Sequence, residues 1–223
     1  MDLIEYKNRD TLFEGLADLI QQTLANFLEQ APTISIAVPG GTTPAPLFER
    51  LSRSDLDWSR VYVCLTDERC VPADHERSNF RLIKQHLGKN NAINARFVKY
   101  HRGGSNPADC LKEGIKALSA AIPLDIALIG MGTDGHVASM FPNAEGLVKA
   151  FAPDAELLIE QSPPNMPENR ITLPAHLLNS ARTKHLLITG EEKKQTLLSA
   201  QMVSKFEMPV NAVLAQTKVH WSA

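Results

Sequence analysis

No stretch of the sequence stays apolar for the roughly 20 residues that a bilayer-spanning helix requires. The N-terminal residues MDLIEYKNRD carry no apolar signal-peptide core, so the expected location is cytoplasmic. Cysteine is scarce. Cys64, Cys70 and Cys110 are odd in number and form no C-x-x-C pair, which argues against a disulfide scaffold or a zinc ribbon and fits reduced thiols, with Cys64 as core packing. Neither sign of charge dominates: 23 Lys and Arg face 25 Asp and Glu, a formal net charge of −2. That balance carries no mark of a nucleic-acid or membrane-surface protein. None of the seven histidines falls in an H-E-x-x-H spacing, so no metal or other cofactor is expected. Internal repeats, low-complexity tracts and Gly/Ser linkers are missing too, and residues 1–223 read as a single domain.

What is present centres on Leu124 to Pro142, LDIALIGMGTDGHVASMFP. Ile126 to Ile129 is a short continuous apolar run, as expected of a strand buried on both faces of a parallel sheet. Gly130, Gly132 and Gly135 follow, with Asp134 and His136 among them, just past the strand's carboxyl end. In open α/β sheets ligands bind there. Histidine takes up and returns a proton near neutral pH, as hydrolysis needs. The glycines also spell G-x-G-x-x-G, the dinucleotide fingerprint, but that fingerprint wants a long helix after its last glycine. Pro142 limits any such helix to about five residues, because proline lacks the donor and clashes inside a helix.

Along the chain, strands alternate with helices. Asp10 to Gln30 places Leu12, Phe13, Leu16, Leu19, Ile20, Leu24, Phe27 and Leu28 at three- and four-residue steps, an amphipathic helix that Pro32 stops. Ile34 to Val38 predicts a buried strand, and PGGTTP (Pro39 to Pro44) turns from it into a helix over Pro46 to Leu51. Thr43 is a candidate cap there and Pro44 suits the first turn. A strand, a glycine-hydroxyl turn and a helix N-terminus together make an anion cradle. Val61 to Leu65 is a second strand, ending in the charged Thr66-Asp67-Glu68-Arg69, then a polar loop and a helix from Phe80 to Leu87. Further strands are expected at Phe97 to Tyr100, Leu157 to Glu160, Arg170 to Leu173 and Leu186 to Thr189. A helix opening at Asn106-Pro107 carries Leu111, Ile115, Leu118 and Ile122, SPPNMP (Ser162 to Pro167) is an irregular loop, and Pro174 starts a short helix. Gly190 leads into a helix over Glu191 to Met202, with Lys193 in its first turn. The order implies an α/β fold: one Rossmann-like, doubly wound, mainly parallel sheet with helices on both faces. Several strand ends then line one crevice, which makes an enzyme the leading class.

The motifs PGGTTP, TDERCVPADHERSN, GMGTDGHVASMFP, RITLP and TGEEK occur in this order between Pro39 and Lys193. In that combination the sequence resembles the 6-phosphogluconolactonases, from the superfamily that includes glucosamine-6-phosphate deaminase. The resemblance implies hydrolysis of 6-phosphogluconolactone to 6-phosphogluconate in the oxidative pentose phosphate pathway, without metal or nucleotide. The run Ala138-Ser139-Met140-Phe141-Pro142 after DGH favours the lactonase branch. Deaminases continue that loop differently, with further acidic residues. Departures are mild: Pro39, Thr42, Thr133 and Val137 stand where the family often has other residues.

A lactone is an activated ester, so a positioned water, a base and anion stabilisation suffice. His136 is the candidate base, taking a proton from water and returning it to the departing ring oxygen. Asp67 and Asp134 are both candidates to orient its imidazole, and the sequence leaves the choice open. Gly40, Gly41, Thr42 and Thr43, with Arg170 and Lys193, are the candidate phosphate site. Arg69 holds either the phosphate or sugar hydroxyls. The expected partner is a small sugar phosphate, not nucleic acid or membrane, and the expected state a monomer or weak homo-oligomer. Two other classes compete: a sugar-phosphate deaminase or isomerase, distinguishable by ammonia release, and a non-catalytic sugar-phosphate-binding protein.

Overall fold

A computed structural model describes residues 1–100, 107–162 and 168–223. The order is β1 (Asp2–Glu5), α1 (Arg9–Gln30), β2 (Ile34–Val38), α2 (Ala45–Leu51), β3 (Val61–Leu65), β4 (Asp67–Arg69), α3 (Asn79–His86), β5 (Arg96–Phe97) and α4 (Pro107–Leu118). Then come β6 (Ile126–Gly130), α5 (Leu147–Ala150), β7 (Ile159–Gln161), β8 (Arg170–Thr172), α6 (Ala175–Asn179), β9 (Thr183–Thr189), α7 (Glu191–Ala200) and β10 (Thr217–Ser222).

Seven strands form one sheet in the order β1-β10-β9-β6-β2-β3-β5, and every pair in it is parallel. This is the α/β architecture the alternating pattern predicts. From β2 the chain moves outward to β3 and β5, and from β6 it moves the other way to β9 and β10. The strand order therefore reverses between β2 and β6, which are paired at Ile36 with Ile126 and Ala37 with Ala127. A crevice opens at the carboxyl ends of such a pair.

Residues of β2 are buried throughout, and β6 is buried up to Ile129. Parallel strands covered on both faces lose the polar-apolar alternation and read as apolar runs, which is why β2 and β3 fall on their predicted bounds. Helix α1 starts at Arg9, one residue early, because Asn8 closes a capping box: its side chain accepts from Thr11 N at 2.9 Å while Thr11 Oγ1 accepts from Asn8 N at 3.2 Å. It ends where Ala31, extended ahead of Pro32, leaves the helical region.

Several expectations shift. Helix α2 begins at Ala45 and its cap position is Pro44 without a side-chain hydrogen bond, so Thr43 does not cap it. Helix α4 ends at Leu118, before Ile122, and α7 ends at Ala200 rather than Met202. The strands expected at Phe97 to Tyr100 and Leu157 to Glu160 are displaced to β5 and β7. TDER is not merely a charged strand end, because β4 pairs antiparallel with β8, and β7 joins them in a separate three-stranded sheet. Asn106 and residues 163–167 of SPPNMP lie outside the described residues.

Strands β1 and β10 are unannounced by the sequence, since β10 buries Thr217, His220 and Ser222 in place of aliphatic residues. His220 is satisfied inside the fold. Tyr6 Oη lies 2.9 Å from its Nδ1, and its Nε2 lies 3.0 Å from His185 Nδ1 on β9. Burial pushes the His185 pKa down to about 4, with Lys218 adding to the effect. It pushes His220 down to about 3, with His185 and Lys218 adding.

Both histidines therefore stay neutral in the fold, while in the unfolded chain they take up protons below about pH 6.5. Stability is lost as pH falls through that value, by up to about 1.4 kcal/mol per pH unit for each histidine, until the folded groups titrate. Urea unfolding compared at about pH 7 and about pH 5 should show this loss, and His185→Gln should shallow the slope. An unchanged slope would place the acid sensitivity elsewhere.

Candidate active site

The crevice at the β2–β6 reversal is a cleft of about 230 Å³, and its wall contains Gly40, Gly41, Thr43, Asp67, Arg69, His136, Arg170 and Lys193. Of the residues singled out from sequence, the fold thus gathers eight into one wall. Thr42 is exposed and outside that wall, and Asp134, also outside it, is held against His136.

The loop after β6 contains no helix before α5. It folds back on itself through bridges from Met131 to Val137 and from Val137 to Met140. Gly132 N donates to His136 O at 2.9 Å. A side chain at Gly132 would overlap the His136 imidazole and come within 2.6 Å of Asp134 Oδ1. Glycine here is what lets the two groups meet across the turn. Ala138, also on the cleft wall, holds φ at +50° without being glycine, a strained conformation of the kind found at functional loops. Outer elements brace the loop: Thr196 Oγ1 on α7 donates to Thr133 O at 2.9 Å, and Val210 N donates to Gly135 O at 2.9 Å.

Asp134 Oδ1 lies 2.6 Å from His136 Nδ1 and also accepts from His136 N at 3.1 Å. The hydrogen bond to His136 holds the Asp134 carboxyl below its usual range. With Nδ1–H donating to Asp134, the lone pair of a neutral imidazole sits on Nε2. Asp67 makes a different set of contacts. Its Oδ2 accepts from Ser139 Oγ at 2.6 Å and lies 3.7 Å from an Arg170 guanidinium nitrogen. The orienting contact on the imidazole is therefore made by Asp134.

Asp67 and Arg69 are held from between by Glu68, which is 2% exposed. Its carboxylate accepts from Arg69 N at 2.7 Å, Asn79 N at 2.8 Å, Phe80 N at 2.8 Å and Ser78 Oγ at 3.0 Å. This fastens β4 to the N-terminus of α3. Asn79, a wall residue that motif reading does not single out as part of the site, donates from Nδ2 to Asp67 O at 2.8 Å. A Cβ on Gly40 would overlap the Asn79 amide. Gly40 is thus required for packing in the turn after β2.

Three cations share the wall: Arg69, Arg170 and Lys193. Burial pulls the Arg170 pKa down from its ordinary value, with Asp67 opposing and Arg69 adding. Burial also pulls Lys193 down, opposed by Glu192 and Asp134. In a protein of net charge −2, this concentration of positive charge suits an anionic ligand. Met131 and Leu187 add apolar wall; in the sequence Leu187 reads as a strand residue and Met131 as part of the glycine loop, and neither carries a chemical signal. Among the described residues no group of three or more His, Cys, Asp or Glu is arranged to hold a metal ion, and no helix is long and apolar enough to cross a membrane.

The family described as glucosamine-6-phosphate isomerases/6-phosphogluconolactonase matches residues 7–221. A 6-phosphogluconolactonase of Rhizobium meliloti (strain 1021) is 37% identical over 225 residues, which cover 97% of each chain. One from Pseudomonas aeruginosa is 37% identical, covering 93% of this chain and 89% of its own. The crystal structure of a 6-phosphogluconolactonase from Shewanella baltica OS155 superposes with a TM-score of 0.95 at 35% identity, covering 100% of this chain and 98% of its own.

Gly40→Ala should cost about 1–3 kcal/mol of stability, because the added methyl displaces the Asn79 amide. Adding Asn79→Ala should relieve part of that clash. A double-mutant cycle read by chemical denaturation tests this, and purely additive losses would separate Gly40 from Asn79.

Proposed function

The chain belongs to the glucosamine-6-phosphate isomerase/6-phosphogluconolactonase family, and we propose that it hydrolyses 6-phospho-D-glucono-1,5-lactone to 6-phosphogluconate. The proposal includes the reaction's place in the oxidative pentose phosphate pathway and its performance by a single domain, residues 1–223, acting as a monomer or weak homo-oligomer. The observation that carries the reading is the 2.6 Å Asp134–His136 pair in a cleft whose wall also carries Arg69, Arg170 and Lys193. A proton acceptor and cations on one cleft wall support this reading, because the reaction needs both a base and a hold on the phosphate.

His136 Nε2 takes a proton from a water as the water oxygen bonds to C1 of the lactone. Asp134, on Nδ1, steadies the imidazolium that forms. The negative charge developing on the carbonyl oxygen is stabilised by backbone N–H groups of the glycine turn or by an arginine of the wall. Collapse breaks the bond from C1 to the ring oxygen, and the imidazolium returns its proton there, leaving a hydroxyl at C5 and a carboxylic acid at C1. No covalent enzyme intermediate is needed.

Gly40, Gly41 and Thr43, with Arg170 and Lys193, hold the 6-phosphate. Thr42, exposed and outside the wall, is left out of this set. Asp67 holds Arg170 in place, so its part is to aim that cation rather than to orient the base. The phosphate lies far from the reacting carbonyl, and its binding energy orients the ring. Arg69 fits the phosphate or the sugar hydroxyls.

Freshly made 6-phosphogluconolactone should be hydrolysed well above its spontaneous rate, without ammonia release from glucosamine 6-phosphate. His136→Asn should keep the fold and 6-phosphogluconate affinity but lose about 10²–10⁴ in turnover, ~3–5 kcal/mol at the barrier. Near-normal turnover in that variant would remove His136 from the chemistry. Arg170→Ala should narrow the preference for the phosphorylated lactone over gluconolactone; an unchanged preference would place the phosphate elsewhere.

A further inference from the structure

Asp134 fixes one nitrogen of His136, but one hydrogen bond is a pivot, and the imidazole plane needs a second contact. That contact is Phe141. Its ring is 5% exposed, and its centroid lies 4.6 Å from that of the His136 ring, with the planes inclined by 34°. The guanidinium carbon of Arg170 lies 5.6 Å from the same Phe141 centroid. One apolar side chain thus touches both the base and a cation of the proposed phosphate site.

We propose that Phe141 is a positioning residue that fixes the plane of the His136 imidazole and the direction of the Arg170 guanidinium together. The inference rests on the reading of His136 as the base. Three features of the fold carry it. The ring is nearly buried, so it is held by its surroundings and moves little. Its tilted ring, 4.6 Å from the imidazole centroid, restrains rotation about the Asp134 contact, which the hydrogen bond alone does not. An aromatic face also attracts a cation more than a neutral ring. Phe141 therefore favours the imidazolium that forms as water is deprotonated over the neutral imidazole that precedes it. A contact that strengthens along the reaction raises turnover rather than substrate affinity.

The loop's own geometry brings the ring there. Val137 pairs with Met131 and Met140, and Ala138 turns the chain with φ at +50°. Ser139, fully buried, ties the turn to Asp67. Phe141 follows two residues later and comes back over His136.

The test uses Phe141→Leu, which keeps apolar bulk without a π-face, and Phe141→Tyr, which keeps the face. In Phe141→Leu, turnover should fall roughly 5- to 30-fold while KM changes less than about threefold, and Phe141→Tyr should recover most of the loss. The His136 ring-proton resonance, assigned by its disappearance in His136→Asn, should lie upfield in the wild type from the Phe141 ring current. It should move downfield in Phe141→Leu and stay in Phe141→Tyr.

A folded Phe141→Leu with unchanged turnover and an unmoved His136 resonance would overturn the inference. So would equal losses in both variants that follow thermal stability alone, since Phe141 would then be packing only. If His136→Asn keeps wild-type turnover, the base reading fails, and the resonance alone decides whether Phe141 positions the ring.

Discussion

The cleft depends first on a buried carboxylate. Glu68 is taken out of water between two wall residues, a costly position that pushes its pKa up; the N–H groups of Phe80, Asn79 and Arg69 and the Ser78 hydroxyl oppose the shift. Two of those N–H groups belong to the first turn of α3, where the helix dipole also favours negative charge. A buried charge left with fewer donors would be strongly destabilising, so β4 and α3 are bound to one relative position. Asp67, Arg69 and Asn79 inherit that position. Asp67 in turn holds Ser139 and Arg170, and through Ser139 it reaches the loop that bears His136.

Polar groups near the cleft are thereby divided by task. Glu68 and Asp67 satisfy neighbouring protein groups, Glu68 from the interior and Asp67 from the cleft wall. Asp134 serves one ring nitrogen. Arg69, Arg170 and Lys193 line the cleft. Such an arrangement costs stability, since burial works against the charged forms of Arg170 and Lys193, and Arg69 adds to the effect on Arg170. Folding free energy for this region comes instead from the aliphatic layers of β2, β3 and β6, which are almost wholly buried.

That division also explains what the sequence makes legible. β2 and β3 are continuous apolar runs because both faces are covered, and their bounds follow from the run itself. The glycine-bearing turns at Gly40 and Gly132 mark themselves, because a Cβ there would strike a functional neighbour. β10 gives no such signal: it buries His220 against His185 and Tyr6, so its hydropathy is that of a surface segment. β9 begins at Thr183, earlier than expected, for the same reason, since Lys184 and His185 are buried polar residues. In the site, residues with obvious chemistry stand out in the sequence by type and place, and eight of them line the cleft. Asn79 and Phe141 were not, because an amide and a phenyl ring acquire their roles only from what the fold sets beside them. The choice between Asp67 and Asp134 likewise needed distances.

The pairing of β1 with β10 has a temporal consequence. Asp2 faces Lys218, so these neighbours are separated by 218 − 2 = 216 positions of chain. During synthesis the first strand emerges early and has no partner until the last one leaves the ribosome. Such long-range closure is entropically costly and slow compared with local contacts. The middle of the sheet, β2 with β3 and β6, is complete long before, and the cleft's glycine turn can form on it. The outer edge is a late seal. Until it closes, Tyr6 and His220 lack each other and β9 carries an open edge, the kind of surface on which nascent chains associate wrongly. For this topology the sheet is complete only when its first and tenth strands meet.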